Sequence, residues 1–180
     1  AVFRDTPLEE VTLPFAGGLK KMLYGDNADL TAVALKRVTI TGGTSIPYQS
    51  FSGFVTLTEV NLPDTITSID RFAFAGCTGL ESIDIPDEVT YIGEYAFNGC
   101  SKLTELIIPE KVETIERIAF ANCTKITEVI VPENVKSIGN YAFTGCSSLK
   151  KAVIASKTGE IGEAVFRDTP LEEVTLPFAG

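Results

Sequence analysis

The sequence predicts a β-rich α/β solenoid, one domain of stacked coils spanning residues 1–180. Three observations predict it. Phe51, Phe74, Phe97, Phe120, Phe143 and Phe166 lie 23 residues apart. The same step separates Ile69, Ile92, Ile115, Ile138 and Ile161, and also Pro63, Pro86, Pro109 and Pro132. The segment AVFRDTPLEEVTLPFAG, residues 1–17, returns letter for letter as residues 164–180. A short unit repeated at a fixed period cannot hide its apolar side chains alone. Stacking brings each residue over its equivalent in the next coil, and the columns make a continuous core.

Each coil divides into two halves. In LESIDIP the spacing L-x-x-I-x-I is that of a leucine-rich-repeat strand, with Leu80, Ile83 and Ile85 directed inward. Pro86 carries no N–H and ends the ladder. The second half, DEVTYIGEYAF, is expected to return across the convex side in turns and short helical segments, burying Val89, Ile92, Ala96 and Phe97. Gly93, Gly139 and Gly162 suit a tight turn there. Cys77, Cys100, Cys123 and Cys146 keep the 23-residue step. Equivalent residues of adjacent coils point the same way, whereas a disulfide needs converging Cβ vectors, so reduced, buried, structural thiols are expected.

The pattern L-x-x-I-x-I-P…V-x-x-I-G-x-x-A-F-x-G-C resembles the BspA-like (Treponema-type) leucine-rich repeat over nearly the whole chain. The resemblance implies a right-handed solenoid with a parallel sheet on its concave side. It also implies a surface or secreted protein, since members of that group are mostly such proteins of bacteria and some protists, often implicated in adhesion.

The consensus residues Leu8, Leu35, Leu57, Leu80, Leu103, Ile126, Leu149 and Leu171 are separated by 27, 22, 23, 23, 23, 23 and 22 residues. Leu8 and Leu171, 163 residues apart, are the same position of the same coil. Seven coils therefore form one block, and the eighth is the first again. Two origins fit: a tandem array of 163-residue blocks, or an engineered chain whose repeated ends let molecules stack end to end. Either way an uncapped solenoid is expected, and Met22, the sole methionine, being internal points to a mature form or a window of something longer. The step of 27 marks an irregular coil at residues 15–34. Leu19, Met22 and Leu23 fit a turn of helix, and YGDNAD is turn-like. The insertion reads either as a contact loop recurring once per block, presenting Lys20, Lys21, Tyr24 and Asp26, or as a cap-like coil internalised by duplication.

Several functions are excluded by composition and pattern. The net charge of −9 disfavours nucleic acid and anionic lipid, which are held by Lys and Arg. No 18-residue apolar run is present, so no membrane insertion is expected, and the first residues lack the basic and apolar regions of a signal peptide. The chain has no His, the commonest general base, so no enzyme is expected. Glu9 and Glu10 adjoin on a predicted strand and face opposite ways. No cofactor is expected. For metals, Asp26, Asn27 and Asp29 lack the order of a calcium loop.

Surface contact is the better reading. One concave column comprises Glu10, Arg37, Glu59, Ser82, Glu105, Glu128, Lys151 and Glu173, and the next Thr12, Thr39, Asn61, Asp84, Ile107, Ile130, Val153 and Thr175. Ile107, Ile130 and Val153 make an apolar strip edged by Glu105, Glu128 and Lys151, which is either a protein contact or β-branched sheet filler. Two functions follow as expectations. One is a non-catalytic segment of a periodic extracellular or cell-surface filament or stalk, its partners being copies of itself or adjacent blocks. The other is an adhesion module gripping a host surface protein or glycan through the concave face or block loop.

Overall fold

A computed structural model describes residues 7–23, 33–156 and 159–176, with backbone only at Lys20 and Lys21. Its strands, numbered in chain order, fall into two columns. The front column holds β1 (Glu10–Leu13), β2 (Arg37–Ile40), β4 (Glu59–Asn61), β6 (Ser82–Ile83), β9 (Glu128–Val131), β11 (Lys151–Ile154) and β13 (Glu173–Thr175). The back column holds two-residue strands: β3 (Ser45–Ile46), β5 (Ser68–Ile69), β7 (Tyr91–Ile92), β8 (Thr114–Ile115), β10 (Ser137–Ile138) and β12 (Glu160–Ile161). All pairings are parallel and join equivalent residues of neighbouring coils, such as Val38 with Val60 and Ile69 with Ile92. The result is a parallel β-solenoid of about seven coils.

The predicted columns form the core. Leu35, Leu57, Leu80, Leu103, Ile126 and Leu149 are fully buried, and Leu8 and Leu171 pack against them. Phe51, Phe74, Phe97, Phe120, Phe143 and Phe166 stack face to face, with centroids stepping from 4.9 to 5.6 Å. Each inner phenylalanine is also tied through its backbone: Phe74 N–H donates to Ala96 O at 2.7 Å, and Phe97 N–H to Ala119 O at 2.7 Å. The four thiols are buried and free. Each reaches back one coil: Cys77 Sγ donates to Phe51 O (2.9 Å), Cys100 to Phe74 O (3.3 Å), Cys123 to Phe97 O (3.3 Å) and Cys146 to Phe120 O (3.2 Å).

Of the turns and short helical segments expected on the convex side, the turns are found and, among the described residues, the helical segments are not, so the fold is β-rich rather than α/β. Among the described residues the single helix is α1 (Leu19–Leu23), in the irregular coil, where Leu19 and Leu23 are buried and Met22 packs on the core. Elsewhere the chain returns through a back strand and tight turns. The reason is local. Gln49, Phe72, Tyr95, Ile118, Tyr141 and Ala164 form one column of positive φ, and Gly53, Gly76, Gly99, Asn122, Gly145 and Asp168 a second. Two left-handed residues four apart cannot sit in a right-handed helix. The second column takes Gly, Asn or Asp, which tolerate that conformation, but the first holds bulky side chains.

Ile118, β-branched at φ 58°, is the most strained of these. Ile118→Asn is expected to raise the unfolding free energy by about 1 kcal/mol in urea titrations, whereas Ile118→Val, which keeps the strain, is expected to give no gain.

The glycines after the back strands also differ from expectation. Gly93, Gly139 and Gly162 are not at positive φ. They are needed for close approach, since a Cβ on Gly93 would lie 2.6 Å from Arg71 N and 2.7 Å from the Asp70 carbonyl carbon.

Candidate protein-contact site

The front sheet positions the predicted strip. Glu128, Lys151 and Glu173 are in register, as are Ile130, Val153 and Thr175. Alternation along β9 turns Val129 and Val131 inward and leaves Glu128 and Ile130 outside. Ile107 is 67% exposed and Ile130 54%, while Val153 is half-buried. Glu105 is exposed beside them. The structure thus brings six predicted contact residues to one face. Of the block-loop candidates, Tyr24 and Asp26 lie outside the described residues, as do the side chains of Lys20 and Lys21.

One feature was not legible in the sequence. The front ladder is interrupted. The strand orders are β1-β2-β4-β6 and β13-β11-β9, and the coil between them, residues 104–108, contributes no strand. Thr104 N–H reaches Glu81 O at 3.3 Å, but among the described residues no backbone hydrogen bond joins 105–108 to either flanking coil. β9 is therefore a sheet edge within the molecule.

Beside that edge lies a cleft of about 430 Å³, lined by Leu106, Ile107, Ile130 and Pro132 with Glu105, Glu110 and Glu128 among its polar lining. Its volume falls in the range of ligand pockets, roughly 300–1,000 Å³. Its charge is one-sided. Lys151 Nζ lies 3.1 Å from Glu128, and that hydrogen bond holds the ammonium above its ordinary pKa. Among the described residues no ion pair involves Glu105, Glu110 or Asp84.

A second polar cluster decorates the back. Glu94 bridges Arg71 and Arg117, each at 2.9 Å, and the two guanidiniums lie over the rings of Phe72 (4.8 Å) and Tyr95 (5.6 Å). Phe72 and Tyr95 stack at 4.7 Å, so they present edges rather than free faces. Among the described residues no group of three or more metal-ligating side chains stands together. Among the same residues no helix is long and apolar enough to cross a membrane.

Comparison with known proteins fits this geometry. No curated protein matches the chain. Among solved structures, a leucine rich repeat protein of T. pallidum aligns with a TM-score of 0.75 at 27% identity, over 77% of this chain and 68% of its own. A leucine-rich repeat protein of Bacteroides ovatus aligns at 0.70 and 31% identity, over 79% of this chain and 40% of its own. A leucine rich cell surface protein of Faecalibacterium prausnitzii aligns at 0.67 and 29% identity, over 84% and 45%. This chain thus spans about two thirds of the first and under half of the other two. The BspA type leucine rich repeat region matches in six copies over residues 31–120 and 70–179, and the chain belongs to that family.

Proposed function

We propose that the chain is a non-catalytic structural repeat protein of the cell surface or extracellular space, in which 163-residue blocks run on as one periodic solenoid. One observation carries this reading: the duplicated segment is seen seating a coil on each of its two sides. As residues 7–13 it receives the following coil, with Lys36 N–H and Arg37 N–H donating to Glu9 O at 2.8 and 3.0 Å. As residues 170–176 it sits on the preceding coil, with Glu172 N–H and Glu173 N–H donating to Lys150 O at 2.8 and 3.1 Å. The carbonyls used on one side and the amides used on the other are different groups of the same strand, so both sets of bonds are compatible.

The charges agree. Glu9 pairs with Lys36 at 3.0 Å, and its copy Glu172 with Lys150 at 2.9 Å. Glu10 pairs with Arg37, and its copy Glu173 faces Lys151. In a continuous array each of these carboxylates stands between two cations. The similarity to a cell surface protein of Faecalibacterium prausnitzii supports the location.

The test is a chain lengthened by one block and viewed by electron microscopy. One unbroken rod, longer by about 34 Å at the usual strand spacing of about 4.8 Å per coil, is expected. Two lobes joined by a flexible link would overturn the reading. The interrupted front sheet favours a second role alongside the first, adhesion to a partner protein through the Ile107–Ile130 strip.

A further inference from the structure

We propose that the cleft beside β9 binds an extended segment of another protein in which a lysine or arginine neighbours a branched or aromatic apolar side chain. This rests on the adhesion reading and names the partner's chemistry. Three features converge on that occupant. Among the described residues Ile107 and Ile130 are the two most exposed large aliphatic side chains, and both line the cleft together with Pro132 and Leu106. An apolar side chain entering there removes their surface from water.

Among the described residues the backbone of 105–108 and the facing edge of β9 share no backbone hydrogen bond, which leaves amides and carbonyls along the seam for a ligand lying over it. An extended chain is the form of ligand that satisfies such groups along its own length. The charges on the rim then choose the partner. Glu105 and Glu110 have no ion-pair partner among the described residues, Asp84 in the neighbouring coil has none either, no Lys or Arg lines the cleft, and Lys151 on the next strand is held by Glu128. An acidic segment meets only repulsion there, whereas a basic one supplies the missing counter-charge. The whole chain's charge of −9 steers in the same direction. Among the described residues the back face lacks this combination: the cations over its rings are already bridged by Glu94.

The experiment uses three labelled synthetic peptides of equal length, in which valine alternates with lysine, with serine or with glutamate. Fluorescence anisotropy against the full chain is measured at low and at physiological salt. The lysine peptide is expected to bind and to weaken as salt is added, with the serine and glutamate peptides weaker by about ten-fold or more. Ile107→Ser with Ile130→Ser, and separately Glu105→Gln with Glu110→Gln, are each expected to lose about ten-fold in affinity. Glu160→Gln with Glu163→Gln, a matched charge change on exposed back-face residues, is expected to change nothing. All six positions are exposed, so thermal unfolding of the three variants should match the parent. Equal binding of the serine peptide, or no loss in the Glu105/Glu110 variant, overturns the charge assignment while leaving the contact role standing. Failure of all three peptides to bind overturns the contact role itself.

Discussion

Phe97→Ala is expected to cost about 3–5 kcal/mol of unfolding free energy, read from urea titration. The side chain is fully buried and stacks on two neighbours, Phe74 at 5.0 Å and Phe120 at 5.1 Å. Truncation leaves a ring-sized void and removes both ring pairs, each worth about 0.5–1.5 kcal/mol beyond its buried area. Backbone bonds on both sides of the ring hold the coil spacing, so the gap cannot close by collapse. Phe166→Ala is the comparison. That ring is half-buried and among the described residues stacks on Phe143 alone, at 5.6 Å, so a smaller loss is expected. A central lesion should also lower cooperativity, because each coil touches only its neighbours and Phe97 lies midway along the stack. A denaturant slope that falls for Phe97→Ala and not for Phe166→Ala would show it. Equal losses at the two positions would mean that neither full burial nor the second ring pair at Phe97 adds to stability.

Repetition makes the core legible in the sequence. Phe97 reads as core because its equivalents stand 23 residues to either side, and the same spacing puts Ile130 outside and Val129 inside. Period two within a strand and period 23 between strands leave no freedom in those assignments. The return half reads as partly helical because DEVTYIGEYAF has the composition of a short helix. What decides it is φ at Tyr95 and Gly99, and a tyrosine in the left-handed region announces nothing in the sequence. The seam at residues 104–108 was equally hidden. LTELIIP matches the strand pattern as well as ITEVIVP does, yet only the latter pairs with a neighbour along its length. Register patterns say which side chains share a face; they do not say whether each backbone finds its partner.

The thiol column makes stability fall steeply at alkaline pH. Burial pushes Cys77 from 9.0 to about 12 and Cys146 to about 11, and lifts Cys100 and Cys123 well above 9.0. In the folded state each sulfur keeps its proton, which it donates to a phenylalanine carbonyl in the preceding coil. The unfolded chain releases these protons near pH 9.0, so above that value the folded state binds more protons than the unfolded one. Stability from the thiols is therefore complete below pH 9 and is lost as pH rises toward 11–12, by about 1.4 kcal/mol per thiol per pH unit. The measurement is a comparison of the parent with a variant carrying alanine at Cys77, Cys100, Cys123 and Cys146. Urea midpoints taken between pH 8 and 11 should fall more steeply for the parent, and the two curves should converge as the pH rises. Parallel curves would mean that the sulfurs deprotonate in the folded chain as readily as in the unfolded one, and that burial does not hold the protons.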